Sequence, residues 1–490
     1  MTSIVDLPSE ILEAIIVNLS GSPLSIAALS KTCRRFLSLI YETPDHHLWR
    51  TVFLSRYDDP RLSDRLNLHS FDKSLWRNEY TSRAWAAEQL QATDISETDK
   101  SLGLRLERFS SALDAISRLC TSANPQSPIL TRDGTSDSSS SSHALAHDKT
   151  IYHAYRNTSR IVRLADTVET LSLNLQQLKS LTDGGCFHLL LHWLCPPYRQ
   201  TAEDATQSAC KLLAFLGTRH TSASGLEENP FKDPLCKAAL KYARRRAYDM
   251  DYPVKARKYG PFVRHRRQRF TADWIQLAAI RLLCEEAALE EHSTLFLDLT
   301  ELGRLRPGAW VPDLRDTHHE VANINESHAM ERDWAGVEGV WRRLVVWLGY
   351  DNLINFNADM KNDDIIEDAQ VYLIVPLRLR IVSYKDEPDG SPLFPTIQCE
   401  GEMGGQGWDT SDEEQADVHH VEGSVSMLAD GSVRWSLTSY MDYTNEEKQW
   451  ATEGVQIGGI GSMAGILGTW TGAYHEPDDP IGGWWQWKVG

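Results

Sequence analysis

Apolar positions recur at helical spacing from the start of the chain. After Asp6-Leu-Pro-Ser-Glu, residues Ile11, Leu12, Ile15, Ile16 and Leu19 form one stripe of a helix, with Pro8 at its start. Gly21-Ser-Pro23 breaks that helix. A second apolar run uses Leu24, Ala28 and Leu29, and a third uses Cys33, Phe36 and Leu37 before the segment closes on Leu48-Trp49. Residues 1–55 therefore read as short helices. Residues 56–120 keep a helical but polar texture, with packing points at Leu75-Trp76 and Trp85, and read as a linker or platform. Residues 121–148 lose the period: a serine run over Ser136–Ser142, with Asn-Pro and Asp-Gly nearby, predicts a mobile loop. Helical patterns return over 149–369, at Ile161–Leu181, Ala202–Leu216, Phe231–Ala247, Thr271–Glu291 and Val337–Leu348.

The period changes near residue 370. Val371-Tyr-Leu-Ile-Val-Pro-Leu-Arg-Leu-Arg-Ile-Val382 is rich in β-branched and alternating residues. Further on, Asp430-Gly431 between two apolar runs is a hairpin signal. Val433, Trp435 and Leu437 alternate with Ser432, Arg434 and Ser436, so one face of that strand is apolar and the other polar. Val455–Gly468 is a glycine-spotted strand region, and Gly482–Val489 reads as the last strand. Residues 370–490 thus predict an antiparallel barrel or sandwich, and the chain as a whole an α+β fold.

The N-terminal series carries a resemblance. Leu7-Pro-Ser-Glu-Ile-Leu, Leu19, Leu29-Ser-Lys-Thr-Cys-Arg-Arg-Phe36 and Leu48-Trp49-Arg50 resemble, in order and spacing, a three-helix F-box. Ser22-Pro23-Leu24 departs from the acidic residue that many F-boxes carry before a leucine. The resemblance implies docking on a Skp adaptor and, through it, a cullin. By position it implies that Leu7, Pro8, Ile11, Leu12, Ile15, Leu29, Phe36 and Trp49 form or support the adaptor-facing surface. The physics agrees, because helices of this length bury too little apolar area to be very stable alone and gain by laying apolar side chains in a partner's groove. The tail, from Gln456-Ile-Gly-Gly through Trp470, His475 and Asp479-Pro480 to Trp485-Gln-Trp487-Lys488, is similar to the C-terminal region of many fungal F-box proteins, as is Val340-Trp-Arg-Arg-Leu-Val-Val-Trp347.

Three tryptophans close the chain. Trp485 and Trp487 fall two apart and share one face of a strand, while Trp484 and Gln486 face the other way. Core packing is one reading, with one pair of rings filling the interior and the third covering an end or a helix. The sharper one is that Trp435, Trp470, Tyr474, Trp485 and Trp487 line a surface that grips a target protein. The run Gly459-Ile-Gly461-Ser-Met-Ala-Gly465 has the wrong final spacing for a dinucleotide loop and lies in strand texture, so its glycines read as permitting bends or close backbone approach.

Charge and chemistry narrow the function classes. A formal net charge of −18 argues against nucleic acid as the main partner. No stretch reaches the roughly 18 apolar residues of a membrane span, and Met1–Asp6 has no basic start of a secretory signal. Eight scattered cysteines without a CxxC pair suggest a reducing compartment, cytoplasm or nucleus. Lys237–Arg269 is a basic stretch with interleaved aromatics: a solvated helix face, a site for acidic or phosphorylated groups, a nuclear-import signal, or an internal complement to the acidic segment after 370. His46-His47, His318-His319 and His419-His420 are adjacent pairs whose side chains diverge, so no metal is expected from them, and no cofactor or catalytic constellation is apparent. These readings together point to a non-catalytic substrate receptor of a Skp–cullin–F-box ubiquitin ligase, holding an unknown target on the β-domain. The alternatives are a lipocalin-like small-ligand-binding barrel, or an F-box interaction protein with a non-degradative role.

Overall fold

The N-terminal apolar stripes become four short helices, α1 (Ser9–Asn18), α2 (Pro23–Ser30), α3 (Arg34–Tyr41) and α4 (His47–Leu54). The computed structural model describes residues 4–43, 47–59, 75–92, 102–121, 173–183, 190–191, 194, 203–217, 230–251, 259–264, 270–291, 333–358, 370–386, 394–404, 418–440, 447–459 and 465–488. The serine run at Ser136–Ser142 and the pair His318-His319 lie outside them. The chain divides into two compact units, residues 1–127 with 168–189, and residues 128–167 with 190–490.

In the first unit, Ser22 caps α2. Its hydroxyl accepts from the Ser25 amide at 3.2 Å and Pro23 takes the first turn, so the departure from the usual acidic residue still starts a helix cleanly. Three longer helices follow, α5 (Leu75–Ala92), α6 (Leu102–Thr121) and α7 (Leu173–Asp183). An aromatic stack joins α4 to α5: Trp49 lies on Tyr80 with ring centroids 5.8 Å apart, and Phe53 meets Trp76 edge-on at 5.4 Å. The Trp49 indole donates to the Ile40 carbonyl at 2.7 Å, and the Tyr80 hydroxyl donates to the Ser20 carbonyl at 2.7 Å. Arg83 of α5, 2 % exposed, lies over Phe53 and Tyr57 and pairs with Glu79 at 3.0 Å. The small N-terminal core is thus completed by α5, which supplies the apolar area that short helices lack. Asn174 of α7 ties in as well, accepting from the Asp58 amide at 3.0 Å and donating to the Leu119 carbonyl at 3.2 Å.

The second unit begins with α8 (Glu203–Leu216) and α9 (Pro234–Ala247), followed by a hairpin of β1 (Phe262–Arg264) and β2 (Phe270–Ala272), and then α10 (Trp274–Glu291). The helix expected from Thr271 begins three residues later, where Asp273 caps it by accepting from the Ile275 and Gln276 amides at 3.1 and 3.3 Å. Arg245 and Arg264 of the basic stretch are exposed, while two of its arginines turn inward: Arg244 holds Glu286 at 2.8 Å, and Arg246 holds Asp273 at 2.6 Å. Their partners stand on and at the start of α10, not in the acidic segment beyond 370. Lys255, Arg257, Lys258, Arg266 and Arg267 lie outside the described residues.

Eight strands then form a closed antiparallel barrel: β3 (Gly339–Leu348), β4 (Gln370–Lys385), β5 (Thr396–Gly404), β6 (Val418–Met427), β7 (Val433–Tyr440), β8 (Lys448–Gln456), β9 (Ile466–Gly472) and β10 (Ile481–Lys488). Each pairs with the next in sequence, and β10 closes on β3 with Trp485 opposite Leu344. A helix, α11 (Tyr350–Ala358), sits between the first two strands in sequence. The Asp430-Gly431 signal is a tight turn: Gly431 has φ 79°, and its amide donates to the Leu428 carbonyl at 3.1 Å.

Two expectations are corrected. Val337–Leu348 is not a helix but contains β3, so the barrel starts some thirty residues before 370. Its apolar residues at 337, 340, 341, 344, 345 and 348 mimic a helical period because both faces of the strand are buried. Trp341, Val345 and Trp347 pack with the barrel core, whereas Val346 is on the outer side beside Ile280 of α10. The closing tryptophans are also reversed: the single Trp484 fills the interior, and the pair Trp485 and Trp487 faces out. Arg281 of α10 lies 4.0 Å over the Trp485 ring, so a helix covers that outer face. Glycines make room for the inner ring, since a Cβ on Gly454 or Gly468 would come within 2.6 or 2.7 Å of the Trp484 indole.

Candidate functional site

The outer surface of the first four helices carries exposed apolar side chains. Ile4, Ile11, Leu24 and Leu37 are 52, 49, 70 and 42 % exposed. Leu7, Ile15 and Leu29 are half-buried and Pro8 is exposed, while Leu12, Phe36 and Trp49 are buried beneath. A single exposed leucine means little; here four large apolar side chains are exposed on one small unit. Residues 4–55 match the F-box-like family model. No curated protein and no solved structure matches the chain. Domains of this family generally bind the Skp adaptor, and the F-box-like domain here has exposed apolar side chains together with buried Phe36 and Trp49. Leu24 and Leu37 were read as members of apolar runs, but neither they nor Ile4 were among the residues expected to face the adaptor. Their exposure follows from where α1, α2 and α3 pack, which the helical period does not give.

The barrel is closed at one end and hollow toward the other. Residues 333–338 cross the closed end. The Trp334 indole donates to the Pro395 carbonyl at 2.8 Å, and Gln456 donates to the Ala335 carbonyl at 3.1 Å. Trp341 and Trp435 meet edge-on at 5.3 Å beneath that segment. Lys488 reaches the Gly336 carbonyl at 3.2 Å, and also the Glu338 carbonyl, with its ammonium over the Trp341 ring. Above this plug lies a cavity of about 410 Å³. Its walls are mainly apolar, with Val345, Leu373, Val375, Val421 and Leu437 among them, and the rings of Trp450, Trp470 and Trp484 between. Trp450 and Trp470 are edge-on at 5.0 Å.

One charge interrupts the apolar wall. Arg343 lines the cavity from β3, deeper than Val345 and Trp347, and is 2 % exposed. Its Nε and Nη2 both donate to Gln486 Oε1, at 2.9 and 2.7 Å, and its guanidinium carbon lies 4.7 Å over the Trp484 ring. Nη1 has, among the described residues, only the Met403 sulfur, at 3.7 Å. Among the described residues no carboxylate pairs with it, and burial alone pulls its pKa down to about 9. Ser439 and Gln449 contribute further polar atoms: the Ser439 hydroxyl and Gln449 Oε1 are buried without a hydrogen-bond partner among the described residues. At the cavity edge His419 is held by its Nδ1, 3.2 Å from the Tyr440 carbonyl oxygen.

The five aromatics expected to grip a target are not brought together. Trp470 lines the cavity, but Trp435 belongs to the plug and is fully buried. Trp485 and Trp487 are buried outside the barrel wall, 5.3 Å apart, and present nothing to a partner. Tyr474 is 66 % exposed and does not line the cavity. Of the residues that line the cavity beside Trp470, Arg343, Trp450 and Trp484 were not among the expected site residues. The available signal was Arg343 within Val-Trp-Arg-Arg-Leu-Val-Val, a charge on each face of a strand otherwise apolar on both.

The remaining motifs settle into structure. The glycine run follows β8 and leads into antiparallel β9, with Gly458, Gly459 and Gly465 at positive φ and no βαβ unit around it. Residues 460–464 of the run lie outside the described residues. His47 sits 3.6 Å from Glu13 and His420 3.3 Å from Glu422. Among the described residues no group of three or more His, Cys, Asp or Glu is placed to hold a metal ion, and no helix is long and apolar enough to cross a membrane.

Proposed function

We propose that the chain is a non-catalytic substrate receptor of a Skp–cullin–F-box ubiquitin ligase. The F-box-like domain docks on the Skp adaptor, which links it to the cullin, and the barrel unit holds a target protein. The reading is carried by the apolar set at Ile11, Leu24 and Leu37, exposed on a domain whose own core is closed by α5. Such a receptor acts by proximity: tethering a target and a charged ubiquitin carrier on one scaffold raises their effective concentration. On this reading the protein works in the cytoplasm or nucleus.

The test is co-purification of full-length chain with the Skp adaptor and cullin, comparing wild type with Ile11→Asp/Leu24→Asp. Both side chains face solvent, so the double variant keeps its melting temperature and loses both partners. Undiminished adaptor binding by the double variant overturns the docking surface, and no binding by folded wild type overturns the receptor reading. A second reading, a small-ligand-binding barrel anchored by the F-box-like domain, is favoured by one observation, the largely apolar cavity of about 410 Å³.

A further inference from the structure

A guanidinium sealed in a barrel without a counter-ion is costly. Removing an ion from water costs several kcal/mol even after relaxation, and an apolar residue of like volume removes that cost. Arg343 does not belong to the plug, which is held by Trp341, Gln456 and Lys488. Gln486 gives it one neutral acceptor oxygen, shared by two of its nitrogens, and among the described residues Nη1 meets only the Met403 thioether. The remaining donors of Arg343 stand at a cavity whose walls are otherwise mainly apolar. Cavities of roughly 300–1,000 Å³ with apolar walls and a few fixed polar groups are the usual form of a small-molecule site.

We propose that the barrel cavity binds a small apolar carboxylic acid, its carboxylate on Arg343 and its hydrocarbon body between Trp450, Trp470 and Trp484. Carboxylate and guanidinium match in geometry and charge, and each relieves the other's desolvation. The Ser439 hydroxyl and Gln449 carbonyl oxygen, without a partner among the described residues, favour an acid carrying a hydroxyl or amide away from its carboxyl end. The inference rests on the ligand-binding reading of the cavity and is independent of adaptor docking. The closed plug and the size of the cavity favour a free small molecule over a folded partner.

The test uses full-length protein and decanoate, with decanol as the uncharged match, read by calorimetry and by quenching of tryptophan fluorescence. Decanoate binds and quenches, decanol binds at least tenfold more weakly, and Arg343→Met erases the difference between them. Because Arg343→Met removes an uncompensated buried charge, its melting temperature without ligand equals or exceeds that of wild type. Arg343→Lys keeps a charge without the fork and retains part of the preference for the acid. Equal binding of decanol and decanoate overturns the role of Arg343 while leaving an apolar ligand site. Binding of neither overturns the ligand site itself. Binding only of a peptide, tested with one ending in an apolar residue, also overturns the proposal, since the occupant is then a protein.

Discussion

At the scale of single residues, burial decides what each aromatic does. Trp435, Trp484 and Trp485 are each no more than 1 % exposed, yet they serve the plug, the cavity wall and the contact with α10. Trp484→Ala and Trp485→Ala should each cost about 3–5 kcal/mol in the denaturation of the barrel unit. Only the first enlarges the cavity, so xenon or benzene uptake tells them apart. His475 offers a pH test. It holds φ 57°, stacks on Tyr259 at 3.5 Å, and its Nδ1 is buried without a partner among the described residues. Burial lowers its pKa, partly opposed by Asp479 and Glu453. A base with a lowered folded pKa stabilises the fold fully above the unfolded value of roughly 6.5 and loses that contribution as pH falls through the folded value. His475→Phe keeps the stack and should flatten the loss of melting temperature between about pH 7 and pH 5.

At the scale of elements, the inward face of a strand was legible where the other face meets solvent. β10, buried on both faces, still read as a strand, but which way its tryptophans point was not legible. β7 declared itself through Val433, Trp435 and Leu437 alternating with Arg434 and Ser436, because its outer face is polar, with Arg434 paired to Glu453 at 2.6 Å. β3 did not, because α10 covers its outer side and its apolar residues fit a helix as well as a strand. The same covering helix hid which of the last tryptophans points inward. The glycines give an element-scale prediction. An added methyl at Gly468 would meet the Glu453 carbonyl oxygen at 2.2 Å and the Trp484 ring at 2.7 Å, whereas at Gly431 nothing stands within 4 Å. Gly468→Ala should therefore lower stability by about 1–3 kcal/mol or more through overpacking. Gly431→Asn should be nearly neutral, since asparagine tolerates the left-handed turn. Chemical denaturation of the two variants makes the comparison.

At the scale of the molecule, the F-box-like domain and α5 behave as one core. Trp49, Phe53, Trp76 and Tyr80 interlock across the two, with Arg83 over the rings. Trp49→Ala should cost about 3–5 kcal/mol and lower the melting temperature of the first unit. On the receptor reading, adaptor binding should then fail through unfolding, whereas in Ile11→Asp/Leu24→Asp it should fail with the melting temperature intact. Differential scanning calorimetry beside the pull-down separates the two causes. Truncation after residue 55 should likewise give a domain less stable than one ending after α5, because the truncation removes Trp76 and Tyr80 from the stack.

The sequence alone determined many of the local elements, though not β3, which its apolar spacing gave as a helix. Periodicity, Pro8 and Pro23 at helix starts, and the Asp430-Gly431 turn are properties of a few neighbouring residues, so they can be read without the fold. The F-box-like series was legible for the same reason, being a local pattern of helix starts and apolar steps. Only the tertiary structure decided that β10 closes on β3, that 333–338 plugs one end, and that Arg343 meets Gln486 from 143 positions away. Those outcomes depend on which surfaces cover one another. A strand covered on both faces carries no solvent-facing period to reveal its inside, and a cavity exists only where distant walls stop short of meeting.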